Sequence, residues 1–169
     1  MPNWALTISY WIHLLATVVW LGGMVSVALF ILPYVQNKLP LEEREPILSK
    51  LQVTLNSIGW FCVFLLAGTG LFQMSAHPSY QGFLAIDNNW AIAILIKHIL
   101  IIVMVIAMGY LSWFVLPELK RISLRRRLGK EINLDELLKL RQKEKYILWT
   151  NLILALLVLI FTAWARSAT

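Results

Sequence analysis

Residues 90–116 read WAIAILIKHILIIVMVIAMGYLSWFVL, and this stretch decides the fold class. A helix that crosses a bilayer needs about 20 mostly apolar residues, because the hydrocarbon core is about 30 Å thick and a helix rises ~1.5 Å per residue. The stretch exceeds that length and carries a single charge, Lys97. Working outward, three more segments have the same character: about 4–34, about 53–74 and about 146–164. The whole chain agrees with them. It has 169 residues, 59% hydrophobic and 14% charged, where soluble domains average about 45–50% and about 25%. A soluble chain of this size must show water much of its surface. Lipid is therefore the expected solvent. The fold class that follows is all-α: a four-helix antiparallel membrane bundle, one domain over 1–169, with no separate soluble part.

The links set the orientation. Link 36–50 is polar, with Pro40, Pro46, Lys38, Arg44 and Lys50. Link 118–145 carries ten Lys and Arg residues, among them Arg125, Arg126 and Arg127. Link 75–89 holds none, and is rich in turn formers such as His77-Pro78, Gly82 and Asp87-Asn88-Asn89. Basic residues stay on the cytoplasmic side. The expected topology is thus N-out/C-out in the cell's inner (plasma) membrane, with links 36–50 and 118–145 cytoplasmic. The net charge of +6 is local to those links and explained by topology and anionic lipid, not by nucleic acid. No positive n-region precedes the first apolar run, which is too long for a signal h-region. It reads as a retained helix. Asn133 followed by Glu136 resembles a capping box, so a helix is expected to start near Leu134 and continue into the fourth span.

Trp4, Trp11, Trp90 and Trp164 fall near the outer span ends, and Trp113 and Trp149 near the inner ends, as in an aromatic belt. Trp20 and Trp60 are too deep for that and are expected to pack inside. Cys62, the one cysteine, reads as a small buried hydrophobe. Met104 and Met108 share a face of the third span but not the face of His98, so they read as packing.

Ionisable groups within a span are costly and mark function. His13, Lys97 and His98 are the ones well inside. His13 lies nine residues after Trp4 and His98 eight after Trp90. Spans one and three run the same way, so both imidazoles lie about 12–14 Å below the outer helix ends. Equal depth on two helices is what a shared metal centre needs, either haem iron or part of a copper site. A histidine in a span also serves as helix glue, and both readings stay open. Ala91 and Gly109 flank His98 on its face and leave room for a flat cofactor or for a close helix. Lys97 points about 100° away from His98, toward the interface or toward an anion such as a haem propionate. Arg166, at the outer end of span four, is a candidate for the same anion or for Asp87. No carboxylate lies within a span, which argues against a relay of acidic residues.

The segments Trp11-Ile-His13…Trp20-Leu-Gly22-Gly23…Leu32-Pro33 and Lys97-His98…Leu116-Pro117 resemble the copper resistance protein D (CopD-like) membrane domain. The resemblance implies a four-helix membrane unit linked with copper uptake or tolerance, and it carries over His13, Trp20, Gly22, Gly23 and Lys97. The seven-residue His-to-Trp spacing also resembles the HemJ type of protoporphyrinogen oxidase, a small haem-associated membrane protein. That pattern has a histidine just after a Gly-Tyr pair in span three, where this chain has Gly109-Tyr110-Leu111. Three functions are therefore expected candidates. One is copper handling at His13 and His98. Another is a haem b redox protein with Lys97 and Arg166 as propionate partners. The last is a non-catalytic subunit of a larger membrane complex or a homo-oligomer.

Overall fold

The computed structural model describes residues 3–80, 82, 84, 86 and 88–167, the side chains of Gln36, Leu41, Glu42 and Arg127 excepted. The described elements are helical. They are α1 (Asn3–Ser26), α2 (Leu32–Lys38), α3 (Leu41–Ser75), α4 (Asn89–Tyr110), α5 (Leu116–Arg127) and α6 (Leu134–Ser167). Four continuous helical stretches are long and apolar enough to cross a membrane: Asn3–Val35, Glu43–Ser75, Asn89–Arg126 and Leu134–Ser167.

Two of these stretches contain the same device. A π-helical turn, Val27–Ile31, joins α1 to α2, and another, Leu111–Val115, joins α4 to α5. Each is followed at once by Leu-Pro, at Leu32-Pro33 and at Leu116-Pro117. Proline has no N–H, and its ring collides with the carbonyl four residues back. Widening the preceding turn lets the Leu32 N–H reach Val27 O and the Leu116 N–H reach Leu111 O. The helix passes the proline without stopping.

The ends are set by local chemistry. Asn88 caps α4, its side-chain oxygen accepting from the Ala91 N–H at 2.7 Å. Asn133 accepts from the N–H groups of Asp135 and Glu136 and starts α6 at Leu134, and α6 then runs unbroken to Ser167. After α5 the Lys130 N–H returns to Arg125 O and the Gly129 N–H to Arg126 O. This closure needs a left-handed residue, and Gly129 supplies it at φ +67. The polar stretch 36–50 is helical except around Leu39–Pro40, because α3 begins at Leu41.

Packing brings α1 onto α3 and α4 onto α6. Ser9 meets Gln73, His13 meets Thr69, and Trp20 lies against Gly59. At one end Trp90, Ala91, Ala93, Met74 and Ala165 form a buried cluster. At the other end lie two clusters, one of Val115, Leu119, Ile122 and Leu137, the other of Leu32, Val35 and Leu48. The outward faces stay apolar: Trp11 and Phe64 are each 71% exposed. Contiguous exposed apolar surface of this kind is matched by a lipid environment.

Candidate functional site

His13 projects from α1 toward α3. Its Nδ1 lies 2.8 Å from Thr69 Oγ1. The Thr69 hydroxyl itself donates to Leu65 O at 2.5 Å, which leaves its oxygen as an acceptor. The proton of the His13 contact therefore sits on Nδ1, and the ring's basic nitrogen is Nε2. Gly70 stands beside the ring: a Cβ there would lie 3.4 Å from His13 Cε1. The imidazole thus lies directly against the α3 backbone at Gly70, at a distance where a Cβ would make ordinary van der Waals contact.

His98, on α4, reaches the same tautomer by a different contact. Its Nδ1 is 2.7 Å from Ile94 O. A carbonyl can only accept, so Nδ1 carries the hydrogen and Nε2 the lone pair. Lys97, half-buried, is close enough to act electrostatically on both rings. Among the described residues it makes no hydrogen bond or ion pair. Lys97 thus acts on both of the histidines that sequence spacing singled out, while His13 is seated against α3 and His98 against its own helix. Around them Ser9, Thr69 and Gln73 tie α1 to α3: Gln73 Nε2 donates to Ser9 O at 3.0 Å, and Ser9 Oγ to Thr69 O at 3.3 Å.

Arg166 is exposed at the end of α6 and acts electrostatically on His77. His77 stacks on Trp90, with ring centroids 4.3 Å apart and planes 10° from parallel. Burial foremost, then the Arg166 charge, lowers the His77 pKa. Asp87, the expected partner of Arg166, lies outside the described residues. The space beside Gly109 is filled by its own helix, since a Cβ there would lie 3.1 Å from the Trp113 ring. Trp113 in turn stacks on Trp60 at 5.8 Å.

Comparison with family models, with curated proteins and with solved structures gave no match to this chain. The chemistry of the site therefore rests on its own residues. Among the described residues no three His, Cys, Asp or Glu side chains converge as a ready-made ion cage. The candidate residues are two imidazoles, each with its Nδ1 engaged by a protein oxygen, and the Lys97 amine. A haem, if bound here, would be held by imidazoles such as those of His13 and His98 and would supply one-electron chemistry. A copper ion held here would complete its ligands from outside the His/Cys/Asp/Glu set.

Sequence reasoning missed two features. One is the neutral polar set Ser9, Thr69 and Gln73. The other lies toward the far end, where Arg141 bridges Glu45 and Glu144. Its Nη2 donates to Glu45 Oε2 at 2.6 Å, its Nε to Glu45 Oε1 at 3.2 Å, and its Nη1 to Glu144 Oε2 at 2.9 Å. These side chains are 12%, 6% and 12% exposed for Arg141, Glu45 and Glu144. By sequence they belonged to water-facing links. The structure buries them between α3 and α6. The signal was present as an Arg and a Glu three apart, one helical turn, ahead of an apolar run.

Proposed function

We propose that this chain is a membrane metal-centre protein of CopD-like type, which handles copper through the Nε2 atoms of His13 and His98. One observation carries the reading. Both imidazoles give their Nδ1 hydrogen to a fixed protein oxygen, Thr69 Oγ1 or Ile94 O. Metal-bound histidines are held in this way, the second-shell bond fixing both ring and tautomer. The motif resemblance to CopD-like domains adds copper as the metal. In this reading the bundle is antiparallel, with both termini outside the inner membrane and the basic links in the cytoplasm. The pairing of Ser9 with Gln73 and of Trp20 with Gly59 supports it. The protein's partners are membrane lipid and the metal, with a second copy or a larger membrane complex around the bundle.

A specific observation favours a second reading, haem b. Lys97 acts on both rings and makes no ion pair among the described residues. A bare copper cation is repelled by that ammonium, whereas a haem propionate is attracted. In this second reading His13 and His98 would hold the iron, Lys97 would bind the carboxylate, and the haem would supply one-electron chemistry.

Purified protein decides between them. Copper by elemental analysis, near one per chain and lost in both His13→Ala and His98→Ala, supports the first reading. A Soret band lost in the same variants supports the second. Neither metal, or full retention in both variants, removes the metal centre and leaves a structural subunit.

A further inference from the structure

The half of the bundle away from His13 contains a cavity of about 110 Å³. Its walls include Trp20, Gly23, Leu55 and Met108, and three polar side chains reach it: Gln52, Asn151 and Glu144. Asn151 is 5% exposed, yet its Oδ1 has no hydrogen-bond partner, and neither has the buried Gln52 Nε2. A buried amide left unpaired is destabilising, and lipid offers it nothing. Two such atoms on one cavity, one acceptor and one donor, point to a missing molecule that both gives and takes hydrogen bonds. Val19 and Ile58 line the cavity and are also 44% and 40% exposed on the outer surface. The cavity thus opens sideways between α1 and α3, on the face that lipid would cover.

We propose that this cavity binds the ring of a lipid-soluble quinone or its quinol. At about 110 Å³ the enclosed part is smaller than the roughly 150 Å³ engineered cavity that takes benzene, so a quinone ring fits with one edge in the open side at Val19 and Ile58. Gln52 donates to a quinone carbonyl, and Asn151 accepts from a quinol hydroxyl. The Trp20 indole and the Met108 thioether supply the apolar, polarisable contacts that a flat ring prefers. Water would satisfy the amides but wet the apolar walls, and a plain hydrocarbon ring would leave both amides unpaired. A mouth at Val19 and Ile58 lets an isoprenoid tail stay in the bilayer. The site is independent of the His13–His98 centre, whichever metal that centre holds.

The test is calorimetric titration of the full-length protein in lipid nanodiscs with a short-chain benzoquinone, its quinol and toluene. One saturable site is expected for quinone and quinol. Gln52→Leu should weaken quinone binding at least tenfold, and Asn151→Leu should do the same for quinol. Gly23→Leu should abolish both. A Cβ at Gly23 would meet only Leu55 Cδ2 at 3.9 Å, so the first carbon of the new side chain has room, and the rest of it is directed at the cavity that Gly23 lines. Asn151→Leu removes a buried unpaired amide and should melt no lower than the parent. Metal content should be unchanged in Gln52→Leu and Asn151→Leu. The proposal is overturned if the parent protein shows no saturable quinone site, if toluene binds as tightly as quinone, or if folded variants keep the parent's affinity.

Discussion

Arg141→Met isolates the ionic cluster between α3 and α6. The substitution keeps an unbranched apolar side chain but removes three hydrogen bonds, two to Glu45 and one to Glu144. With Glu45 6% and Glu144 12% exposed, water cannot replace the guanidinium. Two carboxylates are then left buried side by side. Removing one partner of a buried ionic group costs about 3–5 kcal/mol, and the like charge of the survivors puts this case at the upper end. Removing all three charges together, as Glu45→Leu/Arg141→Met/Glu144→Leu, abolishes the desolvation cost along with the attraction. That variant should be neutral or more stable by about 1–4 kcal/mol. Glu45→Gln should cost more than Glu144→Gln, because Glu45 takes two of the three bonds and is the less exposed. The assay is unfolding in mixed micelles by denaturing-detergent titration, read by helical circular dichroism. The reasoning is refuted if Arg141→Met lies within ~1 kcal/mol of the parent, the worth of an exposed pair. It is refuted equally if the triple variant is as unstable as the single one.

Thr69→Val removes the acceptor that fixes His13 Nδ1. Metal affinity should fall about 10–100-fold with little change in helicity, and an unchanged affinity would show that Thr69 does not orient the ring. His77 has its pKa lowered, so the folded state prefers the neutral ring. Its contribution to stability is present above about pH 6.5, the usual histidine value, and is lost as pH falls through the lower folded value. Melting temperatures at pH 5 and pH 7.5 should differ less in His77→Phe than in the parent, and an identical difference would remove His77 from the account. Cysteine placed at Tyr80 should react with an impermeant thiol reagent on intact cells and cysteine at Arg125 should not. The reverse pattern would invert the proposed topology.

The spans were legible because their signal is summed over about 20 residues, and Leu134 as a helix start because Asn133 leaves a local mark. His13 and His98 were legible as candidates, each by itself, because an imidazole in an apolar run stands out alone. What holds those histidines was not. Thr69, Ser9 and Gln73 are uncharged, and a scan for ionisable groups passes over them, although lipid penalises any unpaired polar group. The Glu45–Arg141–Glu144 cluster was hidden for a different reason. A charge near a span end looks alike whether it faces water or a neighbouring helix. Its burial depends on an ion pair reaching from α3 to α6, between residues 96 apart. Gly109 shows the same limit: its neighbour is Trp113, one turn along, and no face diagram predicts which way an indole folds back.

The two polar regions are separate compartments, and this bears on what copper handling can mean here. From His13 to Trp20 is seven residues of α1, about 10 Å along the axis. In that interval the buried side chains are Ala16 on α1, Cys62 on α3 and Met104 on α4, exposed 4%, 3% and 1%. Thr17, also in the interval, has its hydroxyl engaged with His13 O at 2.8 Å. Apart from it, α3 over 61–68 and α4 over 99–107 offer no oxygen or nitrogen side chain. A metal ion leaving the imidazoles would have to exchange them for one thiol and one thioether, deep in an apolar layer. On the copper reading, then, an ion held by His13 and His98 has no onward path of oxygen or nitrogen side chains along α3 and α4 through this layer. Passage farther inward would require the helices to part, and the twin π-turns before Pro33 and Pro117 lie below that layer, where the backbone of both helices is already wound wide.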